Sequence, residues 1–406
     1  GMGFYAGEVY TLSATELYKI DKDANTTLVG SITGSKRCTL TDDGINLVIT
    51  TGESKPYTWD GSSVSLGTDA DLPSANTGTF INRRIVYDGV GGDVVFADLD
   101  APLSVNSFNI LVEESFSDDT IAVYSHRKDV YVFGEKSIAP YTPIETGNPP
   151  YAVITNSVQS IGLGAVHSVA SNKDYIYFLG DDLQPYRILG LEIQPIGNPA
   201  IGQAISKYGT VEDAYGVCFA FDTLRFYLLT FIDGNQSWLY NEQSAQWTNL
   251  ASNTDGRAHL IADYVFAYGK HLVSDRLTGN VYELDFDTYQ DNSATIQRIR
   301  ETAAVNGEFF GFPDQKMFMN SIRLVIEPGV SLVTAKADII MQYSDDNGRT
   351  WSSERWSDIG EQGDYGFKLT WLGLGYFYTR MFRFIMTDPV KWVLTKLYAD
   401  VEVGVG

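Results

Sequence analysis

Four histidines and two cysteines among 406 residues leave little material for metal or redox chemistry. His126, His167, His259 and His271 stand far apart, without the short spacing that puts two imidazoles on one metal. Each reads as a turn or strand-surface residue. Cys38 and Cys218 lie in apolar, strand-like runs and read as buried free thiols, because a disulfide framework needs more cysteines in a shorter chain. No phosphate-binding loop and no Gly-x-Ser-x-Gly nucleophile elbow occurs. No apolar run approaches the roughly 18 residues that cross a bilayer, and no signal segment opens the chain, so no membrane role is expected. Basic residues are also scarce. The chain carries 29 Lys and Arg against 51 Asp and Glu, a formal charge of −22. Such a surface repels phosphate and anionic lipid, which excludes an ordinary nucleic-acid clamp. It does not exclude a ring through which DNA passes without being bound. Helical periodicity is nearly absent as well; Ala200 to Tyr208 is the longest candidate.

What the chain does have is aromatics and glycine, with 25 Tyr, 21 Phe and 38 Gly. Aromatics fit pleated, half-buried surfaces and glycine marks turns, so the composition points to an all-β protein of many short strands. The strands recur in groups, such as Leu47-Val48-Ile49-Thr50 with Tyr57-Thr58-Trp59, or Tyr175-Ile176-Tyr177-Phe178-Leu179 with Pro185-Tyr186-Arg187-Ile188. Groups of three or four strands at intervals of about 40 to 50 residues are the pattern of β-propeller blades. Six or seven blades are expected over residues 1–292. Gly1-Met2 reads as an expression remnant, and a hairpin is already under way at Gly7 to Ile20, so a closing N-terminal segment is expected to be missing. The period then breaks. Residues 293–406 read as a smaller antiparallel, β-sandwich-like domain, with longer strands such as Ile322–Ile326 and Phe382–Met386.

One motif stands out. Ser344, Asp346, Gly348 and Trp351 fit the Asp-box pattern Ser-x-Asp-x-Gly-x-x-Trp, in which a carboxylate accepts backbone N–H bonds inside a hairpin and Gly supplies a positive φ. Asp boxes recur in sialidases, but one box is a rigid turn and carries no catalytic group. A sialidase-like site also needs clustered arginines and a Tyr–Glu pair, and here the arginines are scattered. With no catalytic set, no metal set and no cofactor motif, the chain is expected not to be an enzyme. Its working surfaces are then loops. The candidates are Asp42 and Gly44, Asn148, Asp233 and Asn235, and Asp255. A propeller glycosidase, or a carbohydrate- or receptor-binding module acting on host surface polysaccharide, is the alternative reading.

The order of pieces also resembles a known family. Val132-Phe133-Gly134-Glu135-Lys136-Ser137-Ile138 is followed by Ile161-Gly162-Leu163-Gly164, Tyr177-Phe178-Leu179-Gly180-Asp181-Asp182, Asp213-Ala214-Tyr215-Gly216 and Leu277-Thr278-Gly279-Asn280-Val281-Tyr282-Glu283-Leu284-Asp285. The Asp box and Phe382-Arg383-Phe384 close the series. This resembles the packaged-DNA stabilisation proteins, or tail hub (nozzle) proteins, of short-tailed bacteriophages. The resemblance implies a late structural protein of the virion tail, assembled in the host cytoplasm and encoded by a free phage or a prophage. It implies a homo-oligomeric six-fold ring that docks on the portal adaptor, closes the portal channel after packaging and stabilises the packaged DNA. It further implies contacts to a tail needle, fibre or tailspike, and a conduit through which ejected DNA passes without specific binding. No cofactor is implied.

Overall fold

The computed structural model describes residues 1–112, 118–252, 256–326, 337–360 and 368–404. The chain divides into two compact units: residues 1–251 with 257–284, and residues 252–256 with 285–406.

The first unit is a ring of seven antiparallel sheets, at residues 2–31, 39–66, 78–112, 120–153, 170–195, 215–249 and 261–283. Six sheets have four strands and the seventh has three, each running in chain order from centre to rim. Position in the sheet explains the strand sequences. A second strand is flanked by a neighbouring sheet on each face, so its middle is buried and mostly apolar. Leu47–Thr50 and Ile176–Leu179 are buried at every residue. A fourth strand lies at the rim and is largely exposed, as at Gln246–Asn249.

The unit has no single core. Its buried residues fall into seven clusters, one at each seam between adjacent sheets. Aromatic pairs fill several seams: Phe133 and Phe178 join the fourth and fifth sheets at 5.5 Å between centroids, and Tyr177 stacks on Tyr227 at 5.0 Å across the next seam. Side chains also replace backbone pairing between sheets. The Thr41 hydroxyl donates to the Gly78 carbonyl at 2.6 Å, the Tyr227 hydroxyl to Ser168 at 2.8 Å and the Tyr215 hydroxyl to Ile261 at 2.8 Å. Gly216 lets the fifth and sixth sheets meet closely, since a Cβ there would stand 2.2 Å from the Ser168 carbonyl oxygen. Among the described residues the one α-helix is Pro199–Ile205, capped by the Asn198 side chain, and it packs Ile201 and Ile205 into the seam between the fifth and sixth sheets.

Side chains close the ring as well. Among the described residues no strand is shared between the first and seventh sheets. Met2, Val9, Ile20 and Ala267 form the buried core of that seam, against eight to eleven residues in each of the others. The Tyr268 hydroxyl reinforces it. It accepts the Val9 N–H at 3.2 Å and lies 2.8 Å from both the Glu8 carboxylate and the Ile20 carbonyl.

The second unit is an antiparallel sandwich. One sheet orders Arg298–Glu301, Thr379–Met386, Asp338–Ser344 and Arg355–Asp358, with Val305–Asn306 also paired to Thr379–Met386. The other orders Leu369–Phe377, Met317–Ile326 and Leu394–Val403. Their facing rows share one core of sixteen buried residues, including Met319, Ile322, Met341, Trp371, Phe382 and Phe384.

Candidate functional site

The two cysteines are free; Cys38 is buried and Cys218 half-buried. The proposed contact loops separate. In an up-and-down sheet, the turns after the first and third strands share one face, and the turn after the second emerges on the opposite face. Asp42 and Gly44 follow the first strand of the second sheet, and Asn148 follows the third strand of the fourth, so these share a face. Asp233 and Asn235 follow the second strand of the sixth sheet and lie on the other. Asp255 falls outside the described residues.

Side-chain oxygens hold two of these loops and a backbone bond closes the third. Asp42 accepts the Gly44 N–H at 2.7 Å, while Asp43 accepts those of Ile45 at 2.8 Å and Asn46 at 2.5 Å. This turn lifts Ile45 into solvent, 54% exposed. Asp233 accepts from the Thr210 N–H at 2.9 Å and gives its own N–H to Asp213 at 2.6 Å, and the Asn235 side chain accepts from Ala258 N–H at 3.2 Å. Asn148 is exposed, and the loop around it is closed by the Ile144 N–H donating to Pro150 at 2.9 Å.

The Asp box forms the turn between Asp338–Ser344 and Arg355–Asp358. The Ser344 hydroxyl donates to Asp346 at 2.7 Å and accepts the Gly348 N–H at 2.8 Å. Asp346 also accepts from the N–H of Thr350 at 2.8 Å and its hydroxyl at 2.6 Å. The Thr350 bonds, with Ser344 beside them, hold the Asp346 carboxyl far below the usual carboxylate range. Gly348 takes φ +84°. Trp351 is capped by the Arg383 guanidinium 3.8 Å from its ring centroid, and Arg383 bonds Glu301 at 2.6 Å.

One anchor of the sandwich lies outside the box consensus. Asp345 binds Arg380 in a bidentate pair at 2.6 and 2.8 Å. Arg380 is 1% exposed, donates to the Leu374 and Tyr376 carbonyls, and stacks over Tyr343 and Phe377. The sequence does carry its signal: Arg380 shares the inward row of Phe382, Phe384 and Met386.

No arrangement among the described residues assembles a sialidase-like centre. Tyr177 does donate to Glu242 at 2.8 Å, and Arg225 lies 3.3 Å from the same carboxylate. However, the Tyr177 phenol is 1% exposed, and burial and then Glu242 push its pKa up, the wrong direction for a nucleophile. The group is a polar clasp between the fifth and sixth sheets. The central cavity of the ring, about 520 Å³, is lined by Thr39, Thr41, Thr79, Ser125 and His167 with one ion pair, Arg37 to Asp263 at 2.5 Å. Burial pushes the Asp263 carboxyl up, but Arg37 and the chain's amino terminus outweigh it and the net shift is downward. Burial lowers His167 to about 4, so at neutral pH it is uncharged. Among the described residues no three His, Cys, Asp or Glu side chains come together to hold a metal, and no helix is long and apolar enough to cross a membrane.

The family described as "Bacteriophage P22 Gp10, beta-propeller" matches residues 1–289, and the one described as "Bacteriophage P22 Gp10, beta-sandwich" matches residues 306–402. The chain belongs to the P22 Gp10 family. It is therefore a structural phage protein of the tail hub, and the propeller-then-sandwich order is the family's own. No curated protein matches it. Among solved structures, PorZ of the type-IX secretion system of Porphyromonas gingivalis aligns at 12% identity and TM-score 0.40, over 70% of this chain and 37% of that one. BamB from Moraxella catarrhalis aligns at 10% identity and TM-score 0.41, over 70% and 92%. A chain of a mitotic checkpoint complex aligns at 10% identity and TM-score 0.45, over 70% and 85%.

Proposed function

We propose that the chain is a subunit of a six-fold ring that docks beneath the portal adaptor, closes the DNA exit after packaging and later forms part of the ejection conduit. The observation that carries this reading is membership of the P22 Gp10 family through both units. The charge distribution supports it. Residues 1–284 carry 34 Asp and Glu against 17 Lys and Arg, a surface past which DNA slides without being held. The propeller supports it too: its sheets are packed seam to seam and present turns on two faces, which suits a body that works by contact. We assign the contacts with adaptor and needle or tailspike to the turns at Asp42, Gly44 and Asn148 on one face and at Asp233 and Asn235 on the other, and to Asp255, which lies outside the described residues. Assembly takes place in the host cytoplasm, before the finished virion is released.

The test is retention of DNA. Packaged heads bearing portal and adaptor but lacking this protein should lose DNA to added nuclease. Adding the chain should restore protection and add a ring below the adaptor in electron micrographs. Heads that remain unprotected, with no added ring, sink the reading. Asp42→Lys with Asp233→Lys should weaken docking more than Asp42→Asn with Asp233→Asn, which keep the side-chain oxygens that accept the Gly44 and Thr210 N–H groups.

A further inference from the structure

We propose that the free chain pairs with a second copy of itself through the sandwich strand Leu394–Val403, joining two three-stranded sheets into one of six strands. This strand is the edge of its sheet, and among the described residues only Met317–Ile326 pairs with it. Six consecutive residues, Thr395 to Asp400, are exposed. That run includes Leu397 and Ala399, which stand opposite the buried Leu324 and Ile322 on the core-facing row. A ten-residue strand whose middle six residues are exposed, and which among the described residues has a partner along one edge alone, is a pairing surface, and proteins ordinarily shorten or cover such edges.

The sequence of the strand identifies the occupant. In an antiparallel pair of identical strands centred on Tyr398, Lys396 of each copy stands opposite Asp400 of the other, twice by symmetry. Leu397 faces Ala399 and Tyr398 faces itself. Lys396, Tyr398 and Asp400 lie on the outer row, where Arg323 covers the Tyr398 ring at 4.6 Å and Asn320 orients Asp400 at 3.1 Å. The strand is thus complementary in charge to its own reverse, and slipping the register by one residue sets Lys396 opposite the apolar Ala399 or Val401 on the other row. A two-fold contact of this kind does not repeat around a six-fold ring. The pairing therefore belongs to subunits that have not yet joined the tail, where it covers an edge otherwise open to aggregation.

Sedimentation of the full chain across a concentration series tests this. A monomer–dimer equilibrium is expected. Lys396→Asp alone and Asp400→Lys alone should each weaken the dimer by about tenfold or more, because two opposite-charge pairs become like-charge pairs. The double swap should restore it. Tyr398→Cys, on the two-fold axis, should form a disulfide between copies under mild oxidation, because directly opposed residues of antiparallel strands lie within disulfide reach. All three positions are exposed and the substitutions remove only the surface contacts from Asn320 and Arg323, so the thermal transition of each monomer should shift little. A chain that remains monomeric at every concentration overturns the proposal, as does a dimer that both single charge variants leave intact. Ring formation below the adaptor is a separate measurement, so this pairing and the tail-hub reading stand or fall independently.

Discussion

The propeller and the sandwich bury their apolar residues in opposite ways. The propeller distributes them over seven seams, each joining sheets that are neighbours in the chain, except the one where the last sheet meets the first. The sandwich gathers sixteen into one core whose contributors run from Met317 to Val390. The difference is one of cooperativity. Each propeller sheet depends on its two neighbours and the ring is as strong as its poorest seam. In the sandwich every strand leans on the same core, and one buried charge, Arg380, sits inside it.

The largest expected effect separates the units. Arg380→Ala removes the partner of Asp345 and leaves the Leu374 and Tyr376 carbonyls without their donor, at a cost of about 3–5 kcal/mol. Calorimetry should show the sandwich transition fall while the propeller's stays in place; a uniform drop in both would refute the division. Phe133→Ala should do the reverse. It empties the seam between the fourth and fifth sheets, at about 3–5 kcal/mol, and lowers only the propeller transition. A smaller effect tests the closing seam. Tyr268→Phe deletes the hydroxyl that meets Val9, Glu8 and Ile20, at about 1–3 kcal/mol. Amide exchange of Val9 should then accelerate more than that of Leu228, deep in the sixth sheet. Equal acceleration would mean the ring opens only as a whole.

The same contrast explains what the sequence disclosed. Propeller sheets are made by consecutive strands, so their period is visible along the chain, and the doubly buried runs at Leu47–Thr50 and Ile176–Leu179 announce themselves. Rim strands such as Val64–Leu66 and Glu192–Pro195 do not, because exposure on most sides leaves no alternation to read. The seam count resolved at seven sheets because the innermost strand Met2–Tyr5, not evident as a strand in the sequence, completes the first. In the sandwich, pairing joins residues as distant as Arg298 and Met386, so topology was beyond a local reading. The Asp box was legible because its chemistry is confined to eight residues, Ser344 to Trp351. Arg380 was not singled out, since its partner and its stacking rings come from other strands. The candidate loops at Asp42, Asn148 and Asp233 were legible as turns, but which face each occupies required the strand order.

The smallest expected effect concerns pH. Asp346 is depressed by its bonds from Thr350 and Ser344, so its folded pKa lies below its unfolded one. Its contribution is present above the unfolded value and is lost as pH falls below about 4 towards the folded one. Asp88 in the propeller has the opposite sign: burial raises its pKa and outweighs four hydrogen bonds from Asn76 and Thr77. Its contribution grows as pH falls through the raised value. Asp346→Asn should therefore flatten the acid slope of the sandwich transition and leave the propeller's unchanged, whereas Asp88→Asn should steepen the propeller's acid slope alone. Following both transitions by calorimetry between neutral pH and about pH 3 reads the two signs in one molecule. If Asp346→Asn leaves the sandwich slope as it was, the hairpin does not draw on that carboxylate, and the box would be held by Ser344, Gly348 and the capped Trp351.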